Sequence, residues 1–82
     1  MKVNRWNWLN RQYEPSEVPE GWYIAVWRGS MHEHVNCAGC GKEDEYGNLY
    51  TSMEIHSPGG FGYMVCRECY EKEFERRIRY DR

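Results

Sequence analysis

Four cysteines stand in two pairs of identical spacing, Cys37-Ala38-Gly39-Cys40 and Cys66-Arg67-Glu68-Cys69. A gap of two residues lets both sulfurs of a pair face one point. At the first pair, Gly39 and Gly41 permit the tight turn this requires, and the amides of such a turn donate to the thiolates. The second pair reads as the opening of a helix, whose unpaired N–H groups and positive dipole favour the thiolate form. Twenty-five residues separate the pairs, enough for one hairpin to bring them together. Four thiolates around one point form a closed tetrahedral shell that suits a single structural zinc ion and leaves no open position for a substrate. An iron–sulfur cluster also takes four thiolates, and spacing alone does not exclude it. A thioredoxin-like redox pair needs an alternating strand–helix pattern for which the chain has no room.

The choice between metal and disulfides depends on compartment. The first residues, Met-Lys-Val-Asn-Arg-Trp-Asn-Trp-Leu-Asn, lack the apolar run of a signal peptide, and no later run has the length of a membrane span. The expectation is a cytoplasmic protein, away from membranes, whose reduced thiols bind metal. Its 82 residues make one domain, in which a metal adds to the few kcal/mol that a small core nets. Lys and Arg number 11 against 13 Asp and Glu, a formal net charge of −2. That balance argues against a strong nonspecific nucleic-acid binder but leaves room for a local basic patch. Aromatic residues make up 16%, which serves a small core and a binding surface equally.

The elements that must position the cysteines follow from periodicity. Residues 49–56 alternate as a strand, with Leu49, Thr51, Met53 and Ile55 on one face and Tyr50, Ser52, Glu54 and His56 on the other. Ser57-Pro58-Gly59-Gly60 turns the chain. Residues 61–65 return as the second strand of a hairpin, with Phe61, Tyr63 and Val65 on one side. A helix begins near Cys66 and runs to about Tyr80. Tyr70, Phe74 and Ile78 recur every four residues and predict its apolar face. Earlier, residues 22–28 (Trp-Tyr-Ile-Ala-Val-Trp-Arg) read as a strand with two apolar faces. Residues 14–21 read as a connector broken by Pro15, Pro19 and Gly21. Residues 1–13 suit a helix through Trp6, Leu9 and Tyr13, and a strand through Trp6 and Trp8; both readings stay open.

Cys37, Cys40 and Gly41 as a knuckle, then a hairpin, then Cys66 and Cys69 opening a helix, resemble a treble-clef zinc finger over residues 35–80. The resemblance implies an α+β domain whose zinc unit is a hairpin plus a C-terminal helix, with the aromatic-rich residues 1–30 contributing an additional N-terminal strand. The run Val65-Cys66-Arg67-Glu68-Cys69-Tyr70-Glu71-Lys72 is also similar to small bacterial and phage regulators of the Gin anti-sigma type, which implies action by binding a protein partner.

Three classes of function can be set against these residues. The leading one is a non-enzymatic regulator or inhibitor that occupies a protein partner's surface, with Trp22, Tyr23 and Trp27 and the acidic residues Glu43, Asp44 and Glu45 as contact candidates. The acidic stretch 14–20 joins them as a match for a basic partner. The alternative is a nucleic-acid-binding finger using Arg67, Arg76, Arg77 and Arg79, which equally complement the helix dipole. The third is a metal-dependent nuclease, for which His56 lies near the hairpin turn. No paired His-His or Asp-His accompanies it, so no catalytic residue is assigned. His32 and His34 precede a thiolate set that is already complete and read as solvated loop residues.

Overall fold

The open reading of residues 1–13 is resolved in favour of strand at Trp6, while Trp8 lies in the turn that follows. The computed structural model describes residues 1–18 and 29–80. Within them, β1 (Lys2–Asn7) pairs antiparallel with β2 (Gln12–Glu17), register Lys2↔Glu17 to Asn7↔Gln12. The Asn7 side-chain oxygen accepts the amides of Leu9 at 2.9 Å and Asn10 at 3.2 Å, the local bonding that makes Asn a turn former. The connector expected over residues 14–21 is thus corrected in its first half, where Glu14, Pro15, Ser16 and Glu17 are strand. Pro15 is tolerated because β2 is the edge of the sheet, where an N–H is not required. The predicted strand at residues 22–28, with Trp22, Tyr23 and Trp27, lies outside the described residues.

The chain resumes with a two-stranded ribbon, β3 (His34–Asn36) and β4 (Glu43–Glu45), which carries the first cysteine pair at its tip. A 3-10 turn over Tyr46–Asn48 leads to β5 (Tyr50–His56), the loop returns as β6 (Gly62–Val65), and α1 (Arg67–Tyr80) closes the described chain. The sheet order is β2-β1-β5-β6, all antiparallel. The expected hairpin and helix are therefore present, in a small α+β architecture. Val3, Val35, Leu49, Ile55, Tyr63, Met64 and Val65 pack with Cys37, Ala38 and Cys66 as the core. No helix of the described residues is long and apolar enough to cross a membrane.

Two expected faces are corrected. On β5, Ser52 and Glu54 are buried beside Ile55, and Thr51 is exposed. The ladder to β6 is irregular between Thr51 and His56, so simple alternation fails. Side chains take up the strand amides there: Met53 N–H donates to Glu73 Oε1 at 2.7 Å, and the amides of Glu54 and Ile55 donate to Ser52 Oγ at 3.1 and 2.9 Å. Phe61 also leaves the core and stands 58% exposed in the loop.

On α1, the stripe predicted to face inward does so only at Tyr70, which packs against the core, and faces out at Phe74 and Ile78. Phe74 is 48% and Ile78 54% exposed, while Glu73 is 2% exposed. The cause is the position of Cys69, whose sulfur must reach the other three. Glu73 follows Cys69 by one turn and shares its face, while Tyr70 is turned about 100° away. Ligand register overrides hydrophobic register.

The inward face is consequently polar. Ser52 Oγ donates to Glu73 Oε2 at 2.6 Å. Glu54 receives Arg76 through both Nε and Nη2, the latter at 2.6 Å, and Trp8 Nε1–H at 2.8 Å. Arg76→Ala would leave the Glu54 carboxylate buried without its cation. Breaking a buried pair costs about 3–5 kcal/mol, and the partial exposure of Arg76 lowers this to about 2–3 kcal/mol, read as a lowered urea midpoint.

Burial pushes the Glu73 carboxyl above its ordinary value of 4.5, against the pull of the Ser52 and Met53 hydrogen bonds, and the nearby Glu54 charge adds to the rise. A raised folded-state pKa means that this group's contribution is complete below the ordinary value and is lost as pH rises through the raised one. Thermal unfolding of the wild type and Glu73→Gln at about pH 4 and about pH 8 checks the sign. The difference between them should move in favour of Gln at the higher pH.

Candidate metal centre

The first cysteine pair is shaped by the tip of the β3–β4 ribbon. Cys37 N–H donates to Lys42 O at 2.9 Å and Gly41 N–H to Cys37 O at 2.8 Å, with Gly41 at φ 83°, a backbone conformation that favours glycine. Asn36 Nδ2 holds the Gly41 carbonyl at 2.8 Å. Gly39 is required by space: a Cβ there would lie 2.8 Å from Cys69 Sγ. The second pair straddles the start of α1, and Tyr70 N–H returns to Cys66 O at 2.9 Å. Ala38 N–H donates to Met64 O at 2.9 Å and ties the ribbon tip to β6.

The sulfurs of Cys37, Cys40, Cys66 and Cys69 all lie within 4.8 Å of one another. Cys40 Sγ and Cys66 Sγ are 3.7 Å apart, far beyond a disulfide bond of about 2.05 Å, and all four thiols are free. A tetrahedral ion with bonds of about 2.3 Å to sulfur would set its ligands about 3.8 Å apart. The donor set therefore fits one metal ion.

Electrostatics bind the four into one unit. Burial pushes the Cys37 thiol up, but the amides of Cys66, Cys40 and Gly39, at 3.2, 3.4 and 3.2 Å, outweigh it and bring its pKa below the ordinary value. Burial raises Cys40, and burial together with the neighbouring sulfurs raises Cys69 strongly. One thiolate is thus prepared by the backbone, and a cation must supply the stabilisation for the rest. Arg5, Lys72 and Arg76, together with the carboxylates Glu54 and Glu73, line the recess onto which Cys40 and Cys69 open.

Among the described residues no other group of Cys, His, Asp and Glu gathers ligand atoms for an ion. His32 faces Glu45 at 3.3 Å, and His34 faces Glu43 at 2.7 Å, across the exposed ribbon. Hydrogen bonding to Glu43 raises the His34 pKa. The Asp44 carboxylate accepts from Glu45 N and Asn48 Nδ2, which lowers its pKa. Glu43, Asp44 and Glu45 therefore sit together on β4, each engaged within the chain. His56 lies against Tyr13, ring centres 4.9 Å apart.

The arginines are dispersed. Arg67 pairs with Glu71 at 2.9 Å, Arg76 is bound to Glu54, Arg77 rests on the Met53 sulfur at 3.7 Å, and Arg79 is exposed in the last turn.

Sequence reasoning missed an aromatic recess of about 250 Å³ where Trp6, Trp8, Tyr13 and Met53 meet Arg77. Trp6 packs edge-on against Trp8 at 5.7 Å and Tyr13 at 5.0 Å. Its signal was present: Trp6 and Tyr13 are cross-strand partners once residues 1–17 are read as a hairpin.

The chain matches no protein-family model, no curated protein and no solved structure.

Gly39→Ala should leave the core intact and push Cys69 off its position. Chelator competition on the metal-loaded chain is expected to show affinity lowered on the order of tenfold or more, as for other changes that disturb ligand orientation.

Proposed function

We propose that the ion is zinc, that the ribbon tip, hairpin and helix form a treble-clef finger, and that the chain acts as a regulator or inhibitor by binding a protein. Four thiolates at tetrahedral spacing support zinc. An iron–sulfur cluster would have to place irons and sulfides between thiolates that here stand as close as 3.7 Å. A closed thiolate shell gives the metal a structural role. Its binding contributes on the order of 10–16 kcal/mol in small zinc domains.

The observation that carries the binding role is the aromatic surface of the β1–β2 hairpin. Leu9 is 82% exposed in the turn of the hairpin, and Tyr13, 43% exposed, lines one recess with Trp6, Trp8, Met53, Glu54, Glu73 and Arg77. Trp, Tyr and Arg around a recess are the residues that dominate protein–protein binding energies. A nucleic-acid role has less support, because Arg67 and Arg76 are paired with carboxylates and the chain carries a net −2.

The test is capture from an extract of the source organism on immobilised full-length chain, wild type against Leu9→Glu, with mass spectrometry of what is retained. A protein held by the wild type and lost with Leu9→Glu is the expected result. Retention of the same proteins by both, or salt-sensitive binding of oligonucleotides in place of protein, would overturn the reading.

A further inference from the structure

The four sulfurs of the metal centre are unequally placed toward solvent. Cys37 and Cys66 are buried, Cys69 is half-buried and Cys40 is exposed. A recess of about 230 Å³ is lined by Cys40 and Cys69 and by neither Cys37 nor Cys66. Hydrogen bonding adds to the contrast. Cys37 Sγ accepts the amides of Gly39, Cys40 and Cys66 at 3.2, 3.4 and 3.2 Å. Donors of this kind stabilise a thiolate and lower its nucleophilicity. Cys37 is therefore the shielded corner of the centre and Cys40 the accessible one. Oxidants select thiolates by exposure.

An oxidised thiolate with a second thiolate beside it closes to a disulfide. Cys66 Sγ stands 3.7 Å from Cys40 Sγ, so a bond of about 2.05 Å needs less than about 2 Å of movement. We infer that Cys40 is an oxidation site, that a peroxide converts it with Cys66 into a disulfide, and that this bridge takes the place of the ion. The inference rests on the reading of the four cysteines as a zinc site.

The chemistry balances with hydrogen peroxide as the oxidant. The Cys40 thiolate attacks one peroxide oxygen, the O–O bond breaks, Cys40 becomes a sulfenic acid and hydroxide leaves. The Cys66 thiolate attacks the sulfenic sulfur, the S–S bond forms and a second hydroxide leaves. Each hydroxide takes a proton from solvent. Two thiolates have then given two electrons and reduced one peroxide to two waters. Two sulfurs are left where the shell needs four, and the site no longer holds its ion. The bridge joins the tip of the β3–β4 ribbon to the start of α1, the segments that the ion would join. A disulfide within either pair, Cys37 with Cys40 or Cys66 with Cys69, leaves them apart. Oxidation thus exchanges one staple for another and keeps the fold.

The test takes the full-length chain, loaded with zinc under reducing conditions, freed of reductant and treated with hydrogen peroxide. A chain that takes up no zinc overturns the metal reading and this inference with it. A chromogenic chelator should report zinc release in step with disulfide formation. Trypsin cuts after Arg67 and puts Cys66 and Cys69 in different peptides, and non-reducing mass spectrometry should find Cys40 joined to Cys66. The oxidised chain should keep the near-UV circular dichroism that a chelator removes from the reduced chain. Cys40→His keeps a fourth ligand but no reactive sulfur at the exposed corner. Its zinc release should slow about tenfold or more, while Cys69→His releases at close to the wild-type rate. Bound zinc that peroxide does not release, a dominant bridge other than Cys40–Cys66, a fold lost on oxidation as fully as on chelation, or Cys40→His releasing zinc as fast as the wild type would each overturn the inference and leave the zinc reading standing.

Discussion

Four sulfurs held within 4.8 Å of one another are an unfavourable arrangement unless a cation lies among them. At about 4 Å, two unit charges repel by about 4 kcal/mol in an effective dielectric near 20, and four thiolates make several such pairs. Protonation relieves the repulsion, and burial together with the neighbouring sulfurs pushes the Cys69 thiol well up. A bound cation would relieve it as well and turn the repulsion into a clamp. The sulfurs it would join come from the tip of the β3–β4 ribbon, the end of β6 and the first turn of α1, segments of a chain whose core is small.

The clamp dictates which side of α1 looks inward, and the packing accommodates that choice. Cys69, Glu73 and Arg76 lie along the inner face, so what meets β5 is a carboxylate and a guanidinium. The contact is tolerable because it is satisfied: Glu73 takes Ser52 Oγ and the Met53 amide, and Glu54 takes Arg76 and Trp8 Nε1. The irregular stretch of β5 and the buried Glu73 are two halves of one arrangement, since the amides that leave the ladder are those the side chains collect. An apolar residue at 73 would gain burial and strand the Met53 N–H.

Much of the centre was legible because cysteine spacing is a local code. Two residues between thiols, a glycine on either side of Cys40 and a hairpin-length insert specify the cluster without knowledge of the rest. The hairpin and the bounds of α1 were legible for the same reason. The face of α1 was legible only at Tyr70, because the rule that also places Phe74 and Ile78 inside assumes that hydrophobic burial alone sets helix rotation. Alternation on β5 failed at Ser52 and Glu54, where a register shift in the ladder to β6 breaks the period of two. The β1–β2 hairpin was hidden by Pro15, which is inadmissible in a central strand but acceptable at an edge. Its turn is made by Asn7 and by Arg11 at φ 51°, with no glycine to announce it.

That hairpin completes the restraint on the helix. Trp8 stacks on Tyr80, ring centres 5.9 Å apart and planes 12° from parallel, and Arg11 Nη2 donates to the Tyr80 carbonyl at 3.1 Å. Carbonyls in the last turn of a helix lack intrahelical partners, so a guanidinium there satisfies one and meets the negative end of the dipole. The helix is thus fixed at its first turn by the sulfur cluster and at its last by an aromatic clasp, with the Glu54–Arg76 pair between. Its rotation is set three times over by contacts that are ionic, polar or aromatic. An exposed Phe74 and Ile78 cannot turn inward without breaking all three, so the apolar stripe is a fixed feature of the surface.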